Sequence, residues 1–189
     1  MQEELSEQPI VYAPLSVAAA TLESAGYELV DVESGTEVVG FAIPHSFGGH
    51  CEAVVEYLPG AGILQMTTAL TRGQVHPLLA TGLVQLLNRL NLMMPAVTFT
   101  FDHCDEEGDE IEISTTCYVF DEIQLEQHVK LMVRYLQEAL KLSMPAIYHY
   151  VTQKLRFKAD ACGQLQFVAP TLSIDEVLQM VELNQFGRA

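Results

Sequence analysis

Two histidine-cysteine pairs, His50-Cys51 and His103-Cys104, are the residues of this chain best suited to metal chemistry. Imidazole nitrogen and thiolate sulfur are soft donors, and two of each complete a tetrahedral zinc or copper shell. A metal-binding sensor or metal-dependent enzyme using this His/Cys cluster is therefore one reading of the sequence. The local pattern opposes it, because Cys51 falls on the inward side of an alternating apolar run and His103 falls at a turn. The expectation is no metal and no other cofactor. The run Asp105-Glu106-Glu107-Gly108-Asp109-Glu110 offers clustered carboxylates, yet a calcium loop needs alternating ligands and a distant bidentate Glu between helices. This run sits between two alternating segments and reads as a solvated hairpin turn. His128 and His149 have no Ser, Cys or carboxylate at a catalytic spacing. Gly60 and Gly62 lack the third glycine and following helix of a dinucleotide fingerprint. No catalytic residue is assigned, and the chain reads as a non-enzyme.

Charge is the next constraint. Of 189 residues, 25 are Asp or Glu and 9 are Lys or Arg, for a net charge of -16. Affinity for polyphosphate comes largely from basic groups displacing counterions, so this balance argues against nucleic acid and against an anionic membrane surface as partners. No Lys or Arg precedes Arg72, whereas Lys130, Arg134, Lys141, Lys154, Arg156 and Lys158 are concentrated in one stretch. On a helix, Lys130, Arg134 and Lys141 fall opposite an apolar stripe, which makes them either a solvated helix back or a basic face for an acidic partner. Val38 and Val54 fall on the polar side of their strands, and Val84 and Leu92 flank the back of another helix. These seven residues form the candidate protein-binding or dimer surface. A mean hydropathy of +0.19 leans the same way, and a homodimer is expected.

The cysteines, Cys51, Cys104, Cys117 and Cys162, show no paired close spacing and read as reduced, buried thiols. The start, Met1-Gln2-Glu3-Glu4-Leu5-Ser6-Glu7, is acidic where a signal peptide is basic and then apolar. The most apolar stretch, Leu83 to Phe99, is interrupted by Gln85, Asn88, Arg89, Asn91 and Pro95. A cytoplasmic location is expected.

The elements that must position these residues follow from periodicity. Residues 1–13 read as a flexible tail, and Leu15 to Ala25 as a short helix ended by Gly26. Val39, Phe41 and Ile43, then Cys51, Ala53, Val55 and Tyr57, alternate inward against Glu52 and Glu56. With turns at Ser46-Phe47-Gly48-Gly49 and Pro59-Gly60-Ala61-Gly62 and a third run from Ile63 to Leu70, they predict a three-stranded meander. Leu79, Leu83, Leu86, Leu87 and Leu90 predict a helix from His76-Pro77 that Pro95 closes. A hairpin follows, with Val97, Phe99 and Phe101 in one strand and Ile111, Ile113, Cys117 and Val119 in the other. A long helix runs from Asp121 to about Met144, where Pro145 is expected to bend or restart the chain. Ala146 to Lys158 reads as further helix and Ala159 to Pro170 as a loop or short hairpin. Ser173-Ile174-Asp175-Glu176 is a capping box opening a last helix, whose Ile174, Val177, Leu178 and Val181 must cover something. The predicted class is α+β, an antiparallel sheet with helices on one face in the order α-β-β-β-α-β-β-α. The expected division is a body over 14–150 and a C-terminal extension over 151–189.

Three segments carry a resemblance: Leu86-Leu87-Asn88-Arg89-Leu90-Asn91 with the Phe-bearing strand after it, Gly108-Asp109-Glu110-Ile111-Glu112-Ile113, and Met144-Pro145-Ala146. In this order they are similar to the bacterial YbjN-like family, described as candidate sensory transduction regulators. That family shares the fold of type III secretion chaperones. The likeness runs from the first helix to near Tyr150. It implies a small acidic protein, dimeric, that acts by binding other polypeptides and brings no catalytic residues with it. Asn88 and Asn91 match its most recognisable pair, and their amides are expected to satisfy backbone groups at the helix end. The function expected is a chaperone-like or regulatory module that captures a client polypeptide on strand edges or in apolar grooves.

Overall fold

A computed structural model of the chain describes residues 13–30, 38–45, 48–70, 74–104 and 108–186. The N-terminal tail, the Ser46-Phe47 part of the first turn, Arg72, and Asp105 to Glu107 of the acidic run lie outside the described residues. In chain order the elements are α1 (Ala13–Ser24), β1 (Leu29–Val30), β2 (Val38–His45), β3 (Gly49–Leu58), β4 (Ile63–Ala69) and α2 (Pro77–Met93). There follow β5 (Thr98–Cys104), β6 (Gly108–Tyr118), α3 (Glu122–Val151), β7 (Leu155–Ala159), β8 (Leu165–Pro170) and α4 (Ile174–Phe186). The predicted α+β class holds: the described residues form a six-stranded antiparallel sheet in the order β1-β2-β3-β4-β6-β5, four helices, and a separate β7-β8 hairpin. The sequence did not announce β1, which has only two residues, too few to show alternation. Among the described residues, no helix is long and apolar enough to cross a membrane.

The chain forms two compact units, residues 1–69 with 114–137, and residues 70–113 with 138–189. In the first, the meander has the register the alternation requires. Phe41 faces Ala53, Ile43 faces Cys51, and Val55 stands between Val39 and Met66. Phe41, Ile43, Ala53, Val55, Leu64 and Met66 are buried, while Glu52 and Glu56 on the opposite side are exposed. Leu15, Ala18 and Leu22 of α1 and Leu125, Val129, Met132, Val133 and Leu136 of α3 complete this core. Each buried Leu, Ile, Val, Met or Phe side chain among these stabilises the fold by about 1.5–3 kcal/mol relative to exposure.

In the second unit, α2 starts where His76 caps it. The His76 Nδ1 accepts the Leu78 N–H at 3.3 Å, and Pro77 occupies the position where a missing N–H costs nothing. Leu79, Leu83, Leu86, Leu87 and Leu90 are buried as the spacing predicts. Two expectations change here. The Asn91 amide bonds strand β5 rather than the helix end: its Nδ2 donates to Phe99 O at 3.0 Å, and its Oδ1 accepts the Phe99 N–H at 2.7 Å. Asn88 is exposed. The acidic run is also not uniformly solvated, because Asp109 is buried and its Oδ2 accepts the Val75 N–H at 2.6 Å.

Helix α3 continues through Pro145 to Val151. An internal proline costs a helix about 3 kcal/mol. The turns it would sever bury Ala146, Ile147 and Tyr150, and two large side chains at about 1.5–3 kcal/mol each outweigh that cost. Part of the segment expected as further helix is strand β7, paired with β8. The capping box of α4 forms as read, with the Ser173 N–H donating to Glu176 Oε2 at 2.7 Å and the Glu176 N–H to Ser173 Oγ at 3.3 Å. The stripe Val177, Leu178 and Val181 is buried, α4 packs on α2, and Arg89 reaches Asp175 at 3.5 Å.

Candidate functional site

Helix α1 ends in a backbone motif that builds one wall of a cleft. Gly26, at φ 86°, takes the left-handed conformation, so the Gly26 N–H reaches Glu23 O at 2.9 Å and the Tyr27 N–H reaches Leu22 O at 3.0 Å. This pair of bonds characteristically brings the residue after the glycine onto the residue five back, here Tyr27 onto Leu22. Tyr27 is then fixed from two more sides. Its ring meets Phe41 edge to face at 5.8 Å, and its hydroxyl accepts Gln137 Nε2–H at 2.8 Å.

Helix α3 supplies the opposite wall. Val129, Val133 and Gln137 recur every four residues on one stripe, and Lys130 and Arg134 on the next. Together with Thr21, Leu22, Ala25 and Tyr27 they enclose about 200 Å³. Cofactor and drug-sized sites run to about 300–1,000 Å³, so this cleft is sized for a side chain or another small group. Its floor is apolar, Leu22, Val129 and Val133 being buried. The Thr21 hydroxyl is committed to Val17 O at 2.7 Å. Three donors remain at the polar side: the Tyr27 hydroxyl proton, Lys130 and Arg134. Lys130 pairs with Glu126 at 2.5 Å across one helical turn, an exposed pair of the kind that contributes at most about 0.5 kcal/mol and opens readily. Arg134 has no acidic partner among the described residues. An apolar floor below two cations and a phenol is complementary to a carboxylate carried on an apolar segment.

Of the seven surface residues singled out in the sequence, Lys130 and Arg134 come together at this cleft. Lys141 is exposed on the same helix but belongs to the second unit. Val38 and Val54 are half-buried on the outer side of β2 and β3, two positions apart in register. Val84 and Leu92 are 41% and 77% exposed on α2. Sequence reasoning missed Tyr27, Leu22 and Gln137. The signal for the first two was present, since a glycine C-cap followed by an aromatic marks the Leu22–Tyr27 contact. Nothing local marked Gln137, whose partner lies 110 residues away.

His50 is exposed and Cys51 half-buried on β3, with burial pushing the Cys51 thiol up. The side chains of His103 and Cys104 lie outside those described, and in the sheet order β4 and β6 stand between β3 and β5. Cys117 is half-buried and its thiol is likewise pushed up, whereas Cys162, expected to be buried, is exposed at a hairpin turn. His128 and His149 are half-buried, and the His149 ring meets Tyr148 at 6.0 Å.

No family model matches the sequence, and no curated protein matches it significantly. A solved structure is similar in fold, that of YbjN, a proposed transcription regulator from E. coli. The two share 12% sequence identity over 71% of this chain and 92% of that one, with a TM-score of 0.53. The likeness establishes a YbjN-like fold. At this identity it carries no assignment to that family.

Proposed function

We propose that the chain is a non-catalytic regulatory module that binds a client polypeptide, works in the cytoplasm as a homodimer, and seats a carboxylate-bearing apolar segment of the client in the α1–α3 cleft. The observation that carries this reading is the juxtaposition of Lys130 and Arg134 over the Leu22, Val129 and Val133 floor, in a chain whose net charge is -16. Cations gathered at one apolar cleft in an otherwise acidic molecule favour one orientation of an acidic partner and repel others. The YbjN-like fold supports a regulatory role, and the acidity favours protein contacts over DNA phosphates as its site.

Strand edges fit the client less well than the cleft. One edge, β1, is two residues long, and on the other, β5, Asn91 already occupies the Phe99 N–H and C=O. Short or covered edges oppose strand addition. The test compares polypeptides retained from host extract by the wild-type chain and by Lys130→Glu/Arg134→Glu. A polypeptide held by the wild type, released by salt and lost with the double variant is expected. Retention of nothing, or of the same set by both, overturns the reading.

A further inference from the structure

The chain carries, next to the α1–α3 cleft in sequence, a segment with the chemistry that the cleft selects. Residues 1–12, which precede α1, contain Glu3, Glu4 and Glu7 and no Lys or Arg. Leu5 lies among those carboxylates, in the order Glu4-Leu5-Ser6-Glu7. An apolar side chain with acids on either side is complementary to the Leu22, Val129 and Val133 floor and to the Lys130 and Arg134 rim. Cations are scarce in this part of the molecule. Of the 9 Lys and Arg residues in the chain, Lys130 and Arg134 are the two that fall in the compact unit of residues 1–69 with 114–137, and both stand at the cleft.

Reach decides which residue can be seated. The cleft is built at the far end of α1, and the helix rises about 13 Å from Ala13 to Leu22. An extended chain covers about 3.3 Å per residue, so Ile10, three residues before Ala13, falls short at about 10 Å. Leu5, eight residues before Ala13, has about 26 Å. The surplus is enough to reverse direction at the head of α1 and cross onto the cleft.

We infer that the segment before α1 turns back along that helix and seats Leu5 on the Leu22, Val129 and Val133 floor, with Glu4 and Glu7 meeting Lys130 and Arg134, so that the chain masks its own cleft. The inference rests on the reading of that cleft as a client site and adds its regulation, because a client must displace the tail. Tethering holds the tail at an effective concentration of about 1 mM, so a contact with an intrinsic Kd of about 0.1 mM closes the cleft about nine-tenths of the time and weakens client binding about tenfold.

Methyl NMR of the full chain tests it. In the wild type, nuclear Overhauser contacts are expected from the Leu5 methyls to those of Leu22, Val129 and Val133, unchanged on dilution and lost in Lys130→Glu/Arg134→Glu. Glu4→Gln/Glu7→Gln opens the mask and raises the affinity for polypeptides retained from host extract by about tenfold. Absence of the Leu5 contacts in the wild type, with the floor methyls unmoved by Leu5→Ser, overturns the masking tail and leaves the client reading standing. Contacts that vanish on dilution assign the tail to a second copy and overturn masking within one chain. Contacts that persist in Lys130→Glu/Arg134→Glu overturn the charge pairing. Leu5 contacts with no polypeptide retained by the wild type or by Glu4→Gln/Glu7→Gln overturn the client reading and leave the docked tail standing.

Discussion

Gly82 is a residue whose lack of a side chain is structural. It lies inside α2, and a methyl group there would collide with the hydroxyl and ring of Tyr150, a buried residue in the last turn of α3. Glycine to alanine inside a helix ordinarily stabilises by about 1 kcal/mol. Overpacking a filled site costs about 1–3 kcal/mol, which exceeds that gain. Gly82→Ala is therefore expected to lower the melting temperature, and Tyr150→Leu in the same chain to recover part of the loss. A rise in melting temperature for Gly82→Ala alone contradicts the close approach. A second residue-scale effect concerns Glu112. Burial first, then the charges of Glu110 and Asp102, push its carboxyl above the ordinary glutamate value. The folded state thus holds this proton more tightly than the unfolded state. What the group contributes to stability is present at low pH and erodes as pH rises from the unfolded value through the folded one. Glu112→Gln is expected to be more stable than wild type in urea at pH 7, with the difference vanishing below about pH 4. Equal stabilities at pH 7 would remove the argument.

At the scale of elements, what the sequence made legible depended on whether the determining contacts were local. The meander, α2 and the α4 capping box announce themselves, because alternation, a four-residue apolar repeat and Ser173 with Glu176 are all readable within a dozen residues. Strand β1 and the end of α3 do not. The first is too short for a period, and the second depends on Ile147 and Tyr150 being buried by distant parts of the chain, which no local rule about Pro145 contains. The cleft divides in the same way: Lys130 and Arg134 were visible as charges, while their juxtaposition with Tyr27 is a tertiary event. Asn91 was singled out, but its partner was misplaced, because the helix-end rule competes with a strand backbone eight residues on. That geometry leads to a prediction. Asn91→Ala strips Phe99 of both partners on the terminal strand of the sheet, and two orphaned groups at about 1 kcal/mol or more each should destabilise the second unit measurably. Amide exchange at Phe99 should accelerate. Asn91→Asp, which keeps the acceptor for the Phe99 N–H and loses the donor, should fall between the two. Unchanged exchange at Phe99 in Asn91→Ala would show that β5 does not depend on this amide.

For the whole molecule, net charge opposes self-association, and ionic strength measures by how much. Two copies of -16 repel each other over the size of the molecule. At 10 mM salt the screening length is about 30 Å, so that repulsion is felt in full; near 150 mM it is about 8 Å, and only groups close to the contact still interact. Association should therefore strengthen between these two conditions. Near 1 M the screening length is about 3 Å, and little of the repulsion remains to be removed. The association constant of the proposed homodimer is therefore expected to rise with salt and to level off towards 1 M. Arg156→Glu/Lys158→Glu, with net charge -20 from -16 minus 4, carries more of the repulsion, so its association should rise more steeply with salt. Sedimentation at the three salt concentrations distinguishes these curves. A wild-type constant that falls throughout would mean that opposite charges meet at the contact and outweigh the net repulsion.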